Sequence, residues 1–489
     1  MEKDKAQHLF GIVLSGGGNL LGMAASLVTI MVAARFLSQE ELGAFFLVML
    51  VAQFTALFGD IGLKNTAIKA LSALPATSTE FIQTSRYVLT VTTATSLIAC
   101  LVVSLIMPFL TSLWPYQEFQ SHTSYIAPIA LLTTGLQLVM SLLVGAKKFK
   151  RLSALSMGIE VFRALLSTAG LLAGLGISSL LWGMIVSRLI GIGAIWVSMP
   201  SLFALTFRHA QSAELLKFGG WLYGVSLVSI IMVRASDAIL TTYMGTAALA
   251  VYSAAIQVPS GLQRVFESIR PALLGYMSLQ QTAYANPQIA AVRIVTALLA
   301  VAATFLIALS RPLMTVLYSE KYESGVNIMQ ALSVWAVFTI INYLFSIILI
   351  GNGQSRRAFL LTLPQLLIII ISTGLLVPRY EGFGAAIALV ATAFLGNIIG
   401  ARLVAGDDKF TCHMLTTVFL RAAAPLLLLL LVVLYTKPSV LLSTGLTSIT
   451  IVLLIALKVF TPKDISTIRV ALSGMTERGQ ACPTIASKL

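Results

Sequence analysis

The sequence predicts an all-α integral membrane protein with about fourteen transmembrane helices, and three observations support that class. The 489-residue chain is 58% hydrophobic and only 10% charged, whereas soluble globular domains carry about 25% charged residues. Its apolar residues form runs of about 20 residues, the length of helix that crosses a bilayer core. Its Lys and Arg residues concentrate in alternate loops, as expected for a multi-pass membrane protein.

The apolar runs are predicted to be helices and not barrel strands. A transmembrane strand is about ten residues long and alternates in polarity, but these runs are about twice as long and apolar on every face. The first begins near Phe10 with no small-residue cleavage site after it, so we expect a retained helix and not a signal peptide. The predicted spans are 10–34, 43–63, 87–110, 123–145, 153–174, 178–199, 219–243, 248–274, 289–311, 327–350, 359–377, 383–404, 416–436 and 440–460.

The distribution of basic residues sets the predicted orientation. With the N-terminus in the cytoplasm, 24 of the 32 Lys and Arg residues lie in cytoplasmic loops or toward the cytoplasmic ends of spans, 5 lie on the outer side and 3 lie deeper within spans. Both termini are therefore predicted to be cytoplasmic. The same bias accounts for the net charge of +14. Nucleic-acid binding is not expected, because the sequence has no basic cluster interleaved with aromatic residues.

The chain contains two similar halves. The stretch RFLSQEELGAFFLVMLVAQ from Arg35 resembles TYMGTAALAVYSAAIQVPS from Thr242 at an offset of 207 residues. This offset covers six spans, an even number, so the halves share one orientation, as in parallel-repeat transporters. We predict two six-helix bundles around a central cavity, followed by two more helices. The predicted boundaries are 1–205 and 206–410 for the bundles, 411–460 for the extra helices and 461–489 for a cytoplasmic tail.

Sequence motifs for catalysis, metals and nucleotides are missing. Cys100, Cys412 and Cys482 are widely scattered and form no metal-like or redox-like motif. The stretch SGGGNLLG from Ser15 lacks the following Lys and Ser or Thr of a phosphate-binding loop. We expect no enzymatic activity, no metal and no cofactor, apart from a coupling ion such as H⁺ or Na⁺.

Charged residues inside the spans are the main candidates for a functional site. A charge at the bilayer centre costs about 2.5–3.5 kcal/mol on insertion scales, so it must face the protein interior or a wet cavity. Arg234 and Asp237 in span 7, like Glu160 and Arg163 in span 5, are three residues apart on one helix face. Each pair either neutralises itself or binds a ligand, and arginine suits phosphate. Arg188 in span 6 needs either an anion or a partner such as Glu160.

A charged strip lies at the predicted cytoplasmic end of span 8. Arg264, Glu267 and Arg270 follow one another at intervals of three residues. The strip is either the entrance for an anionic headgroup or an ordinary interfacial anchor. Asp60, at the predicted end of span 2, falls on Glu267 at the repeat offset of 207. The two acidic residues are therefore expected to flank one entrance.

Arg35 lies at the predicted outer end of span 1, and two acidic residues follow it in the turn, Glu40 and Glu41. Opposite charges this close in sequence favour a salt bridge at the outer surface. A function as an outer gate is the alternative interpretation.

The segment ARFLSQEELGAFFLVMLVAQFTALFGDIGLKNTAIKALS, from Ala34, resembles the opening of the polysaccharide-biosynthesis flippases. These belong to the multidrug/oligosaccharidyl-lipid/polysaccharide exporter superfamily. In the family pattern an Arg closes the first helix, an acidic turn precedes Gly and an aromatic residue, and an acidic residue with Gly-Leu ends the second helix. Lys217, Asp237 and MGTAALAVYSAA match in the second half, with Ala250 where the family has Gly. The resemblance covers nearly the whole chain.

The resemblance implies a flippase of the bacterial inner membrane. Such proteins move an oligosaccharide, joined through diphosphate to a polyprenol, from the inner to the outer leaflet by ion-driven alternating access. The glycan then serves surface polysaccharide synthesis, as lipopolysaccharide or exopolysaccharide. The implied partners are the lipid-linked substrate, membrane lipids, and the polymerase and glycosyltransferases of the same process.

On this hypothesis, arginines contact the anionic substrate, and acidic residues couple an ion or form gating salt bridges. The predicted substrate contacts are Arg188, Arg234, Arg264 and Arg270. The predicted coupling or gating residues are Asp60, Glu160, Asp237 and Glu267.

Two alternatives stay open. A cation-coupled multidrug exporter of the same superfamily usually has acidic residues in its first helix, and the predicted first span has none. A membrane-bound polysaccharide polymerase or glycosyltransferase needs a large soluble domain or a long external loop. The predicted external loops, such as 111–122, are too short for that.

Overall fold

A computed structural model of the protein describes residues 21–72, 74–75, 78–204, 206, 212–279, 287–351, 354–406, 409–436 and 440–457. Every regular element in these ranges is a helix. The helices are α1 (Leu21–Phe36), α2 (Gln39–Asp60), α3 (Leu63–Ser72), α4 (Thr79–Leu113), α5 (Gln117–Ser121), α6 (Ile126–Gly145), α7 (Phe149–Leu172), α8 (Ile177–Ser198), α9 (Ser212–Leu279), α10 (Pro287–Ala308), α11 (Ser310–Tyr318), α12 (Val326–Gly351), α13 (Ser355–Ala405), α14 (Lys409–Thr436) and α15 (Val440–Ala456).

The fourteen predicted spans all coincide with helical segments of the described chain, the first from Leu21 onward. Two of the helices contain two spans each. At 1.5 Å per residue, the 68 residues of α9 would extend about 100 Å if straight. Instead, α9 breaks at Gly245 (φ 88°) and α13 breaks at Glu381 (φ 52°). The predicted all-α membrane fold is confirmed. The division into bundles stays a prediction, and the predicted tail lies outside the described residues.

The second span ends at Asp60 in the structure, and the short helix α3 follows it beyond a kink. Ile61 (φ 39°) and Gly62 (φ 79°) adopt left-handed backbone conformations between α2 and α3. The carboxylate of Asp60 accepts a hydrogen bond from the backbone N–H of Lys64 at 3.0 Å, which caps the first turn of α3. Asp60 therefore lies at the end of the second span, as predicted, and Lys64 lies just beyond the kink.

Burial differs strongly between helices. Helices α2 and α12 are buried along most of their length, whereas α4 turns most of its surface outward. A capping box starts α2, since Ser38 and Glu41 exchange hydrogen bonds of 2.7 and 3.1 Å. Helix α2 packs extensively against α4, α6 and α9. It is therefore the first-half helix through which the two halves of the chain make much of their contact.

Candidate substrate cavity

A cavity of about 710 Å³ lies between α1, α2, α6, α7, α8 and both arms of α9. Its wall contains six of the eight residues that the sequence predicted as site residues, namely Glu160, Arg188, Arg234, Asp237, Arg264 and Glu267. Asp60 does not line the cavity, and the side chain of Arg270 lies outside the described residues. The structure thus brings together charges from four separate spans.

Helical periodicity explains why these side chains share one wall. On α7, Ser156, Glu160 and Arg163 follow at i, i+4 and i+7, which is one face of a helix. On the second arm of α9, Arg264 and Glu267 lie on the same face at i and i+3. Each helix turns its polar face to the cavity and its apolar faces to neighbouring helices or lipid.

Two ion pairs lie in the wall of the cavity, each within one helix, as the three-residue spacing predicted. A guanidinium nitrogen of Arg163 lies 2.6 Å from a carboxylate oxygen of Glu160, and its Nε lies 3.0 Å from the same oxygen. Arg234 lies 2.8 Å from Asp237. Asp237 is the more buried partner of its pair, and Arg163 is the more buried partner of the other. The sequence analysis did not select Arg163 as a substrate contact, yet it lines the cavity beside the other arginines.

Arg188 differs from the paired arginines. Its Nη1 atom is buried and has no hydrogen-bond partner among the described residues. The predicted alternative was a salt bridge to Glu160, but the carboxylate of Glu160 is held by Arg163. A guanidinium carries five N–H donors and no acceptor, so the unpartnered Nη1 can donate to an acceptor on a ligand. Among the cavity residues, Arg188 is therefore the clearest candidate to bind an anion.

The charges in the wall leave the cavity cationic. Four arginines line it, Arg163, Arg188, Arg234 and Arg264, against the three carboxylates of Glu160, Asp237 and Glu267. The remaining polar lining is neutral, from Ser26, Gln53, Ser156, Ser187, Ser253 and Gln257. This combination suits a ligand that contains both an oxyanion and uncharged hydrogen-bonding groups.

Asp60 has a structural function, as the cap of α3. The sequence paired it with Glu267 as the two sides of one entrance, but only Glu267 lines the cavity. The hydropathy pattern does not reveal the kink that removes Asp60 from this wall. Its predicted part in ion coupling stays a prediction.

The predicted outer side of the cavity is closed by contacts between the two halves. Tyr116 donates a hydrogen bond to the backbone carbonyl of Thr241 at 2.8 Å. Trp114 donates to the hydroxyl of Thr242 at 2.9 Å. Burial raises the pKa of the Tyr116 phenol above its usual value. These contacts join the loop after α4 to the first arm of α9.

The same outer surface carries two more hydrogen bonds between the halves. Arg35 donates to the carbonyl of Val316 at 2.7 Å, and Gln39 donates to the carbonyl of Lys321 at 2.6 Å. Arg35 forms no ion pair with the acidic turn after α1 in the described structure, so the predicted salt bridge is wrong. The predicted alternative, an outer gate, stays a prediction. The Arg35, Gln39, Trp114 and Tyr116 hydrogen bonds are called the outer seal below.

Gly43 permits the closest approach within this region. A methyl group at Gly43 would overlap the backbone carbonyl of Thr246 in α9, just beyond the break at Gly245. Lower in the cavity, a methyl group at Gly261 would meet the end of the Met23 side chain. Helices α1 and α2 thus pack directly on the second arm of α9, where small residues permit close packing.

No group of three or more His, Cys, Asp or Glu side chains is placed to hold a metal ion in the part of the chain described here. The expectation that the protein needs no metal or cofactor stays a prediction.

Comparison with known proteins gives consistent matches. A family model described as "Polysaccharide biosynthesis protein" matches residues 32–327, more than half of the chain. The succinoglycan biosynthesis transport protein ExoT of Rhizobium meliloti (strain 1021) is 26% identical over 299 residues, which are 60% of this chain and 59% of that protein.

Solved structures match over most of the chain. A structure titled "Lipid II flippase MurJ, inward closed conformation" matches with a TM-score of 0.70 and 16% identity, over 92% of this chain and 98% of that one. The MATE transporter VcmN of Vibrio cholerae matches with a TM-score of 0.61 and 15% identity, over 82% and 97% of the two chains. At these identities the matches establish a shared fold.

Proposed function

Because the chain belongs to the polysaccharide biosynthesis protein family, we propose that it is a flippase for lipid-linked oligosaccharides. It carries a glycan joined through diphosphate to a polyprenol across the bacterial inner membrane, with both termini in the cytoplasm. The fold shared with a lipid II flippase and with a multidrug transporter supports transport as the activity. Alternating access between the two halves is the transport step.

Arg188 is the observation that carries this proposal. It offers an unmet guanidinium donor in a cationic cavity within the membrane. Guanidinium binds phosphate oxygens through strong, directional hydrogen bonds. Neutral serine and glutamine side chains on the same wall suit the hydroxyl groups of sugars. A diphosphate joined to a glycan combines both chemistries in one headgroup.

The two ion pairs supply a route for ion coupling. A diphosphate bound beside Arg163 or Arg234 competes with Glu160 and Asp237 for the same guanidinium groups. A carboxylate that loses its arginine inside the membrane is stabilised by a proton or a cation. Substrate binding and ion uptake then occur together, and release of the ion restores the pair.

The competing functions fit the cavity less well. A carrier of cationic drugs would be expected to present excess negative charge, and this cavity has an excess of arginine. A polymerase or glycosyltransferase needs catalytic residues at the membrane surface. The predicted external loop is instead taken up by α5 and by the contacts of Trp114 and Tyr116 with α9.

Expression of the protein in a flippase-deficient strain tests the proposal. We expect wild-type protein to restore surface glycan and to remove lipid-linked repeat units that have accumulated on the inner leaflet. Unchanged accumulation, with the protein present in the membrane, would refute the proposed function. Restored drug resistance without restored glycan would favour the multidrug exporter.

A further inference from the structure

A second, smaller chamber of about 390 Å³ adjoins the cavity between α3, α6 and α7. Leu136, Ser156, Ile159 and Glu160 line both spaces, so the two are neighbours across a shared wall. Three residues line the smaller space but not the larger one, namely Lys64, Gln137 and Met140. This space is called the side chamber below. Its volume falls within the range of about 300–1,000 Å³ that is typical of ligand sites.

Lys64 places an ammonium group in the side chamber, four residues after the end of α2 at Asp60. Its Nζ donates to the side-chain oxygen of Gln137 at 3.3 Å. Gln137 precedes the end of α6 at Gly145 by eight residues, so the contact lies about 12 Å from that end at 1.5 Å per residue. The kink at Ile61 and Gly62 is what brings Lys64 to this position, because it turns α3 alongside α6.

The charge of the Lys64 amine is only partly compensated in the described structure. Gln137 is a neutral amide, which does not compensate a full charge. Asp60 attracts the ammonium group, but its carboxylate bonds to the backbone N–H of Lys64 and not to the amine. No ion pair of Lys64 occurs within the described ranges. An ammonium group carries three N–H donors and no acceptor, so the amine of Lys64 can bind an anionic ligand in this space.

The side chamber otherwise suits the headgroup of a glycolipid. Gln137 and Ser156 supply neutral hydrogen-bonding groups. Glu160 in the shared wall does not repel an anion strongly, because Arg163 holds its carboxylate at 2.6 Å. Beyond that wall lie the arginines of the main cavity. A ligand in the side chamber is thus separated from the cavity of Arg188 only by the residues that line both spaces.

We propose that the side chamber is a second oxyanion subsite for the lipid-linked substrate, with Lys64 as its cation. This inference rests on the proposed function. The oxyanion is either the diphosphate as it approaches the main cavity or the acidic group of a charged sugar in the glycan. Both are recognised by the same ammonium group and the same neutral neighbours.

Export assays distinguish the two sources of the oxyanion. Lys64→Gln and Lys64→Arg are expressed in flippase-deficient strains that make either a neutral or a uronic-acid-containing repeat unit. We expect Lys64→Gln to lower export about tenfold or more, as for loss of a charge-assisted hydrogen bond, and Lys64→Arg to retain most of it. Loss with both glycans identifies the diphosphate, and loss with the acidic glycan alone identifies a charged sugar.

Two further variants separate charge from packing. Met140→Trp fills the side chamber without touching its charge, and we expect it to lower export as Lys64→Gln does. Lys147→Gln removes an equal charge from the exposed turn between α6 and α7, and we expect wild-type export. Wild-type export by both chamber variants would overturn the proposal. So would equal failure of Lys64→Gln and Lys64→Arg at normal abundance in the membrane.

A binding experiment keeps this test independent of transport. Purified wild-type and Lys64→Gln proteins are titrated with polyprenyl diphosphate, bare or carrying a uronic-acid sugar, and binding is followed by native mass spectrometry. We expect weaker binding of at least one probe to Lys64→Gln. Equal affinity of the wild-type and Lys64→Gln proteins for each probe would overturn the subsite. Failure of the wild-type protein to restore export would instead count against the proposed function alone.

Discussion

Replacement of Arg188 by methionine should raise or preserve stability while it abolishes transport. The buried Nη1 donor of Arg188 has no partner in the described structure, and an unsatisfied buried donor costs about 1–3 kcal/mol. Methionine has a similar length and removes both donor and charge. We therefore expect the unfolding free energy of the empty protein to stay level or to rise by up to about 3 kcal/mol, followed by denaturant unfolding in detergent.

The same substitution should weaken substrate binding. Hydrogen bonds to charged groups contribute about 1.5–3 kcal/mol each, and 1.4 kcal/mol is a factor of ten in affinity. Loss of one such bond to diphosphate predicts affinity that is about 10- to 150-fold lower. Titration with polyprenyl diphosphate measures this change, and surface glycan in a flippase-deficient strain measures its consequence.

Arg163→Met is the matched control for Arg188→Met. It removes the same type of side chain from the same wall, but it leaves Glu160 without its partner at 2.6 Å. Breaking a buried ion pair costs about 3–5 kcal/mol, and we expect the lower end because the Glu160 side chain is 38% exposed. If Arg188→Met destabilised the protein as much as Arg163→Met, Arg188 would be a structural residue and the reasoning would fail.

Three further predictions concern the second ion pair and the closure of the cavity. Arg234→Gln leaves the buried carboxylate of Asp237 without its ion-pair partner and should lower the unfolding free energy by about 3 kcal/mol. Adding Asp237→Asn to this variant should recover most of that loss. Equal unfolding curves for the single and double variants would contradict the pairing. The valine side chain of Gly43→Val would overlap the carbonyl of Thr246 and should hold the outer side of the cavity open. A cysteine introduced into the cavity should then react several-fold faster with an impermeant maleimide added from outside. An unchanged reaction rate would refute this prediction. Tyr116→Phe deletes one hydrogen bond of the outer seal, worth about 1 kcal/mol, and should raise the same rate about fivefold, whereas a rate equal to that of wild type would show that this bond does not hold the seal.

The sequence predicts those parts of the fold and site that depend on local pattern. Apolar runs of bilayer length predict all fourteen spans, because backbone polar groups in lipid must be satisfied within a helix. Charge rarity identifies the cavity residues, because a charge such as Arg188 or Arg234 has to face the protein interior. The three-residue spacing predicts both ion pairs, because i and i+3 are neighbours on a helix.

The sequence does not predict contacts that depend on backbone geometry or on distant acceptors. Asp60 and Lys64 flank the kink at Ile61 and Gly62, and only Lys64 lines the side chamber. The hydropathy pattern does not reveal that kink. Arg35 bonds to a carbonyl 281 residues away, and a carbonyl acceptor has no sequence signal. The acidic turn nearby therefore suggests a salt bridge that does not form.

The arrangement of paired and unpaired arginines reconciles binding with release. A flippase that held a diphosphate with four unpaired arginines would bind it too tightly to release it. Binding that is equally strong in every state of the cycle does not shift the equilibrium between those states. Here Arg163 and Arg234 already have carboxylate partners, so the substrate gains from them only the difference between two partners. On the proposed function, the net attraction would come from the arginines outside these ion pairs, Arg188, which has an unmet donor, and Arg264. The ion pairs would then provide a reversible exchange of partners that coupling to an ion could shift in either direction.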